Sequence, residues 1–196
     1  KKDINPDGFI TRKGLQNKNV KKVRNSKVIV ADLQSNEFKD LLKDPEVAFV
    51  EVNSTVSIAS LGEVGQDLAE VKSKRKQAEE IPWGIQAIGA DLALKKHEGG
   101  KSIKIAILDT GIAAHPDLKI AGGVSFVNGS SGYMDDNSHG THVSGTIAAL
   151  NNKYGVVGAA SNADIYAVKV LDKYGSGSYD QVIQGIDWAI SNKMDI

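Results

Sequence analysis

The sequence predicts an α/β fold in which a parallel sheet is flanked by helices, with a smaller α+β module in front of it. Two continuous apolar runs, at 103–108 and 164–170, have the composition of strands that are buried on both faces. Segments with helical periodicity, at 140–150 and 179–192, alternate with these runs. Such alternation is typical of a parallel sheet covered by helices on both sides.

Residues 1–60 are predicted to form the smaller module. A strand-like run at 27–31 is followed by an amphipathic stretch at 37–43 and by a second strand-like run at 47–52. The start of the chain, at 1–8, has the composition of a turn-rich segment. From pattern alone, this module is a structural subdomain.

Residues 61–80 are predicted to be a polar linker, and residues 81–196 the larger α/β part. The linker is rich in helix formers and contains the basic stretch Lys72–Lys76. Two interpretations of that stretch stay open, a solvated helix face or mobile linker and a basic processing site.

The composition argues against several classes of function. The chain has 24 basic and 24 acidic residues, and this balance gives no reason to propose nucleic acid or an anionic membrane as a partner. It has no cysteine, which excludes disulfides and thiol catalysis. The chain has no run of about 18 apolar residues, so it gives no sign of a transmembrane helix. Residues 1–3 do not resemble the start of a signal peptide.

An aspartate and a histidine occur where open α/β sheets build their sites. Asp109 ends the first apolar run, at the carboxyl end of the predicted strand. His139 follows about one βα unit later, and the small residues after it suit a helix packed closely on a sheet. A buried carboxylate can fix the tautomer of an imidazole, which can then act as a general base. The pair therefore predicts two of the three groups of a serine hydrolase.

Each of these residues alone has another explanation. An aspartate at the end of a strand is commonly a turn former or a helix cap. His139 and His142 have the helical spacing of a metal-binding pair, but no third ligand shares that spacing and cysteine is absent. The joint occurrence of the two segments, in this order, favours the hydrolase.

The larger part of the chain closely resembles the subtilisin family of serine proteases, or subtilases. The motifs that carry the resemblance are Ile81-Pro-Trp-Gly, Ile107-Leu-Asp109-Thr-Gly, His115-Pro-Asp-Leu118, Asn137-Ser-His139-Gly-Thr-His-Val143, Ala149-Leu-Asn-Asn152, Tyr166-Ala-Val-Lys-Val170 and Gly175-Ser-Gly177. The resemblance implies that Asp109 orients the imidazole, that His139 is the general base and that polypeptides are the substrates.

The nucleophile of the family is a serine in a Gly-Thr-Ser-Met-Ala-like turn that opens a later helix, and no such segment occurs here. The serines that are present lie outside that motif, among them Ser138, Ser144, Ser176 and Ser178. We therefore expect the nucleophile to belong to a C-terminal half of the catalytic domain outside this chain. The sheet is then incomplete, and the chain alone is expected to be inactive.

Residues 41–51, Leu-Leu-Lys-Asp-Pro-Glu-Val-Ala-Phe-Val-Glu, resemble the later half of a subtilisin propeptide. The resemblance implies that residues 1–60 are an inhibitor and folding assistant that packs on the protease. It also implies an extracellular protein, secreted by a bacterium.

A substrate-binding edge is implied at Gly175, Ser176 and Gly177. In the family an extended peptide adds to this segment as a strand through backbone hydrogen bonds. Glycines allow two backbones to approach closely. A surface loop without function explains the same residues.

A structural calcium site is also implied by the resemblance. Calcium prefers hard oxygen ligands, which the following residues would supply through carboxylates, a side-chain amide oxygen and carbonyl groups: Asp117, Glu79, Asn152, Leu150, Tyr154 and Val156. An ordinary turn at 151–152 is the alternative.

The resemblance predicts the precursor of a serine endopeptidase that acts through an Asp–His–Ser triad, with the serine outside this chain. The alternative is a non-catalytic subtilase-like scaffold or an inhibitory fragment. A Gly-Thr-Ser-Met-Ala-like segment in the same protein would favour the enzyme, and its replacement would favour the scaffold.

Overall fold

A computed structural model of the chain describes residues 4–23, 25–58, 79–96 and 98–196, so most of the predicted linker lies outside the described residues. The helices and strands, in chain order, are α1 (Pro6–Arg12), β1 (Lys21–Val23), β2 (Val28–Val30), α2 (Ser35–Leu42), β3 (Thr55–Ser57), α3 (Trp83–Ala87), α4 (Ala90–Lys96), a 3₁₀ turn (Glu98–Gly100), β4 (Lys104–Asp109), β5 (Ile120–Ser125), α5 (His139–Ala148), β6 (Asp164–Lys169), β7 (Ser176–Ser178) and α6 (Tyr179–Ser191).

The central sheet contains β4, β6 and β5 in that order, and both of its strand pairs are parallel. Its register places Ile105 beside Ile165 and Asp109 beside Lys169. The predicted parallel sheet is confirmed, and its strands β4 and β6 lie within one residue of the predicted runs. Asp109 and Lys169 therefore reach the same carboxyl edge.

Helices cover both faces of this sheet, as the alternation predicted. On one face, the buried side chains that pack together include Ile105, Ile107, Ile165 and Ala167 from the strands and Ala148 from α5. On the other face, Val182 and Trp188 of α6 pack against Val168, Val170 and Leu171. Apolar side chains on both sides of the strands explain why their sequences are continuously apolar.

The outer edge of β4 is paired by the last two residues of the chain. The amide of Ile196 donates to the carbonyl of Lys104 (3.2 Å), and the carbonyl of Ile196 accepts from the amide of Ala106 (2.9 Å). One residue that bonds both neighbours of Ile105 in this way has the hydrogen-bond pattern of a parallel strand.

The N-terminal module has a small core of its own. Phe9 and Ile10 of α1 are buried together with Leu15, and side chains of the antiparallel β1–β2 hairpin and of α2 pack around them. The predicted helix at 37–43 corresponds to α2, and the run at 27–31 contains β2.

Two predictions for this module are wrong. The start of the chain is not only turns, because α1 begins at Pro6; Asn5 accepts a hydrogen bond from the amide of Asp7 (2.9 Å), and proline is well tolerated in a first helical turn. The run at 47–52 is not a strand. Its Phe49 and Val52 side chains are 70% and 71% exposed, with no sheet face to cover them. The strand comes later, at β3.

The N-terminal module contacts the larger part of the chain through α6 and β7. Strand β3 pairs antiparallel with β7. The Asp187 carboxylate accepts hydrogen bonds from the amides of Asn25 (2.7 Å) and Ser26 (3.1 Å) in the β1–β2 turn. Lys21 forms an ion pair with the buried Asp180 (3.2 Å) at the start of α6.

Among the helices within the described ranges, none has the length and apolar character required to cross a membrane.

Candidate active site

Asp109 occupies the carboxyl end of β4, where backbone amides donate hydrogen bonds both to its carbonyl oxygen and to its carboxylate. Its carbonyl oxygen accepts from the amides of Val170 (2.9 Å) and Leu171 (3.2 Å), and its carboxylate accepts from the amide of Thr110 (2.6 Å). The residue is only 7% exposed. A buried carboxylate held in this way keeps one orientation.

His139 is the first residue of α5, and its imidazole lies directly against Asp109. The Nδ1 atom is 2.9 Å from Oδ1 and 2.8 Å from Oδ2 of that carboxylate. With Nδ1–H donating to the carboxylate, Nε2 is the ring nitrogen that can accept a proton. The side chain is 37% exposed, so solvent or a ligand can reach it. The structure brings the two predicted residues together.

The contact depends on a very close approach of α5 to the end of β4. A Cβ atom at Gly140 would lie 2.2 Å from the carbonyl oxygen of Gly111, and the amide of Gly140 donates to Thr110 Oγ1 (2.9 Å). Gly111 has a φ of +109°, and a Cβ there would lie 2.4 Å from the carbonyl oxygen of Tyr133. Glycine is therefore required at both positions.

Asp135 organises the loop before His139, and the sequence reasoning did not identify it. Its carboxylate accepts from the amides of Asn137 (3.0 Å), Ser138 (3.0 Å) and Thr141 (2.9 Å), and from the Thr110 hydroxyl (2.8 Å). Burial alone would raise the pKa of Asp135, but the hydrogen bonds from Thr141, Asn137 and Ser138 outweigh it and lower the pKa to about 2. Its position four residues before His139 was the available signal.

The predicted peptide-binding edge is paired with a segment of the same chain. Val56 lies opposite Gly177 in the β3–β7 pair, and the amide of Ile58 donates to the carbonyl of Gly175 (2.9 Å). The hydroxyl groups of Ser57 and Ser176 lie 2.9 Å apart. A Cβ at Gly175 would lie 2.5 Å from the side chain of Ile58, so this glycine permits the close approach.

Two of the predicted calcium ligands, Glu79 and Asp117, contact the 150–156 loop, which contains the other four. Glu79 accepts from the amides of Asn152 (2.6 Å) and Lys153 (2.7 Å). The buried Asp117 carboxylate accepts from the Asn152 side chain (2.9 Å) and from the amide of Val156 (3.3 Å). Backbone bonds between Glu80 and the 155–157 segment bring Glu79 to this loop.

The same loop packs closely against Asp117. Gly155 has a φ of +66°, and a Cβ there would lie 2.5 Å from the Asp117 carboxylate. Carboxylate and amide oxygens of the kind that calcium prefers are present here, but backbone amides and the Asn152 side-chain NH₂ group donate to the two carboxylates. Within the described residues no group of three or more His, Cys, Asp and Glu side chains could hold a metal ion, so carbonyl groups would have to complete such a site.

Comparison with known proteins places this geometry in context. Residues 100–196 match the sequence profile of the Subtilase family of peptidases. The chain is 48% identical over 169 residues to a thermostable alkaline protease of Halalkalibacterium halodurans, covering 86% of this chain and 42% of that protein. It is 45% identical over 168 residues to subtilisin E of Bacillus subtilis (85% and 39% covered) and 41% identical over 169 residues to an alkaline protease of Shouchella clausii (86% and 40% covered).

The chain spans about two fifths of the length of these relatives. The matched residues include both members of the Asp109–His139 pair and the strands and helices that hold them. The resemblance seen in the sequence motifs is thus confirmed by independent comparison. Through residues 100–196, the chain belongs to the subtilase family of serine proteases.

Proposed function

We propose that this chain is the N-terminal part of a serine endopeptidase precursor, and that His139 acts as its general base with Asp109 as the orienting acid. The short contact between His139 Nδ1 and both oxygens of Asp109 carries the proposal. The nucleophilic serine would come from a segment outside residues 1–196. The substrates would be polypeptides.

The chemistry follows from the two ring nitrogens of His139. In the neutral imidazole, with Nδ1–H donating to Asp109, Nε2 is the nitrogen that can take the proton of a serine hydroxyl as that oxygen attacks a peptide carbonyl. The imidazolium formed is stabilised by the adjacent carboxylate. In the next step Nε2–H gives its proton to the departing amine, which breaks the peptide bond and leaves an acyl-enzyme for water to hydrolyse.

The test uses the protein encoded by the complete gene. His139→Ala should lower kcat for a peptide substrate by several powers of ten while leaving the fold intact, because a general base is lost. His142→Ala is the matched control, since it removes an exposed imidazole one turn further along the same helix. Comparable peptidase activity in His139→Ala and wild type would contradict the proposal and favour a non-catalytic scaffold.

We further propose that residues 1–60 inhibit the enzyme by occupying its peptide-binding edge. The antiparallel pairing of β3 with Ser176–Ser178 is the arrangement in which a peptide strand adds to a sheet edge. Gly175 and Gly177 would admit a substrate backbone in the same way. A synthetic peptide with the sequence of residues 52–58 should inhibit competitively, and a scrambled peptide of the same composition should not. Inhibition that is independent of substrate concentration would count against this site.

The loop at 150–156 is proposed to bind a structural calcium ion. Asp117, Glu79 and the Asn152 side chain would supply three oxygen groups, and the carbonyls of Leu150, Tyr154 and Val156 would complete the shell. The close contacts of Asp117 and Glu79 with this loop support the assignment. The ion would stabilise the fold and take no part in catalysis.

Secretion from a bacterial cell is the location proposed for this protein, on the strength of its family. A signal peptide encoded at the start of the complete gene would support it, and activity confined to the cell interior would contradict it.

A further inference from the structure

Lys169 is a buried cation at the edge of the candidate active site. It ends β6 beside Asp109, and its side chain is 1% exposed. An ammonium group is costly to bury unless partners replace its water. Two oxygens do so here: the carbonyl of Thr110, 2.5 Å from Nζ, and Asp136 Oδ1, 2.7 Å from Nζ.

Both partners belong to the segments that hold the acid and the base. Thr110 follows Asp109 directly; its amide donates to that carboxylate, and its hydroxyl accepts from the amide of Gly140. Asp136 lies in the loop that ends at His139. One ammonium group therefore bonds the end of β4 and the loop before α5.

Neutralisation of Asp136 does not explain the burial of this cation. The Asp136 side chain is 54% exposed, so water would solvate its carboxylate in the absence of the lysine. The Thr110 carbonyl is different, because Thr110 is fully buried and water has poor access to it. The lysine thus donates a hydrogen bond to a buried carbonyl next to Asp109, and the exposed Asp136 carboxylate neutralises its charge.

We propose that Lys169 is a positioning residue for the Asp109–His139 pair. Its bond to the carbonyl oxygen of Thr110 fixes the residue whose own amide, on the other side of its Cα atom, donates to the Asp109 carboxylate. Its bond to Asp136 fixes the loop that presents His139. The lysine acts through these groups and does not touch the imidazole. This inference rests on the proposed function, which it extends by one residue.

The test combines kinetics with a direct measurement on the imidazole, in the protein encoded by the complete gene and labelled with ¹⁵N-histidine. Lys169→Met keeps most of the apolar length and removes the donor. We expect the hydrogen-bonded Nδ1 proton of His139 to exchange with water at least about tenfold faster. We also expect kcat to fall by about tenfold to a hundredfold with KM nearly unchanged, because misplacement of catalytic groups affects the chemical step.

Val168→Ala is the matched control for a general loss of stability. Val168 is the adjacent residue of β6, is fully buried, and packs on the opposite face of the sheet. This variant should lower the melting temperature but leave the His139 proton unaffected. The same exchange rate in Lys169→Met and wild type, or an equal acceleration in both variants, would overturn the proposal.

Asp136→Asn decides the matter if Lys169→Met does not fold, since Asp136 is half exposed and its replacement disturbs little packing. A smaller acceleration of exchange supports the role of Lys169, and an unchanged rate overturns it. A wild-type protein that shows the protected Nδ1 proton but hydrolyses no peptide would refute the proposed function, while the exchange measurements would still test Lys169.

Discussion

At the scale of single residues, the geometry of the candidate site depends on Gly140, a position where no side chain fits. Gly140 lies against the Gly111 carbonyl, and the separation between α5 and the end of β4 follows from that contact. The bond between His139 and Asp109 needs this separation, because a shift of about 1 Å would lengthen it beyond normal hydrogen-bond distance.

Gly140→Ala should therefore destabilise the fold by about 1–3 kcal/mol, since the new methyl group must displace backbone. It should also lower peptidase activity in the complete protein. Gly145→Ala is the control on the same helix, where a Cβ meets no atom within 4 Å. That change should be neutral or stabilise by about 0.5–1 kcal/mol through helix propensity. Denaturant unfolding of both variants tests this; equal effects would contradict it.

Asp135 makes stability depend on pH in a defined window. Its folded-state pKa of about 2 is below the ordinary value of 3.8, so its contribution is complete above about pH 4 and is lost as the pH falls towards 2. Allowing for its partial exposure to solvent, the contribution is about 1 kcal/mol.

Asp135→Asn should accordingly lower the free energy of unfolding at neutral pH and flatten its decline between about pH 4 and pH 2. Unfolding curves over this range measure both effects. Asp164→Asn, which removes a surface carboxylate with an ion pair to Lys119, is the control and should keep the wild-type profile. A parallel decline in Asp135→Asn and wild type would show that the loop does not depend on this charge.

At the scale of elements, the sequence predicted the strands whose own residues are continuously apolar. It missed the strands that form because of contacts with other segments. Strand β4 was predictable because both faces are apolar. Strand β5 was not, because Gly122 and Gly123 read as turn residues; in the structure a Cβ at Gly123 would lie 2.4 Å from the Ala167 carbonyl and 2.8 Å from the Tyr133 ring. Apolar character alone also misled, since it placed a strand at 47–52 instead of at β3.

The candidate site was predictable to a similar degree. Asp109 and His139 stand out because their motifs are short and continuous. The roles of Asp135 and Lys169 emerge only from contacts between segments; the position of Asp135 four residues before His139 is a weak signal, and Lys169 has none.

Asp180, at the start of α6, should make the contact with the N-terminal module weaker in acid. Asp180 is buried, and burial opposes its ionisation, but hydrogen bonds from Ser178, Asn53 and Lys21 outweigh burial and lower its pKa. Its stabilising effect is therefore present above its ordinary pKa and is lost as the pH falls through the lowered value.

Hydrogen exchange at two amides measures this effect, because the bonds of Ile58 to Gly175 and of Tyr179 to Ser54 cross the contact. We expect their protection to fall on acidification in the wild type. In Asp180→Asn it should be weaker already at neutral pH and should change less with acid. Asp164→Asn again serves as the control. If the two amides were as well protected in Asp180→Asn as in the wild type, Asp180 would not be needed to stabilise this contact.

At the scale of the whole molecule, calcium should raise thermal stability if the 150–156 loop binds it. An ion that binds only the folded state stabilises it by about 2.7 kcal/mol at a hundredfold excess over its Kd. The melting temperature should rise with calcium in the wild type and should rise little in Asp117→Ala, while Asp164→Ala should respond as the wild type does. A melting temperature that is insensitive to calcium up to millimolar concentration would exclude the site.

The pairing of β3 with β7 has a consequence for enzyme assays. Because both strands belong to one chain, the segment that we propose as an inhibitor is present at this edge at an effective concentration of about millimolar, whatever the dilution of the protein. While the segment is attached, it should raise the apparent KM of the complete protein for a peptide substrate in proportion to the ratio of this effective concentration to the segment's own Kd. Once the connection at 59–78 is cut, the same contact becomes bimolecular. Activity should then rise on dilution, and the concentration at which it does so gives the affinity of the released segment.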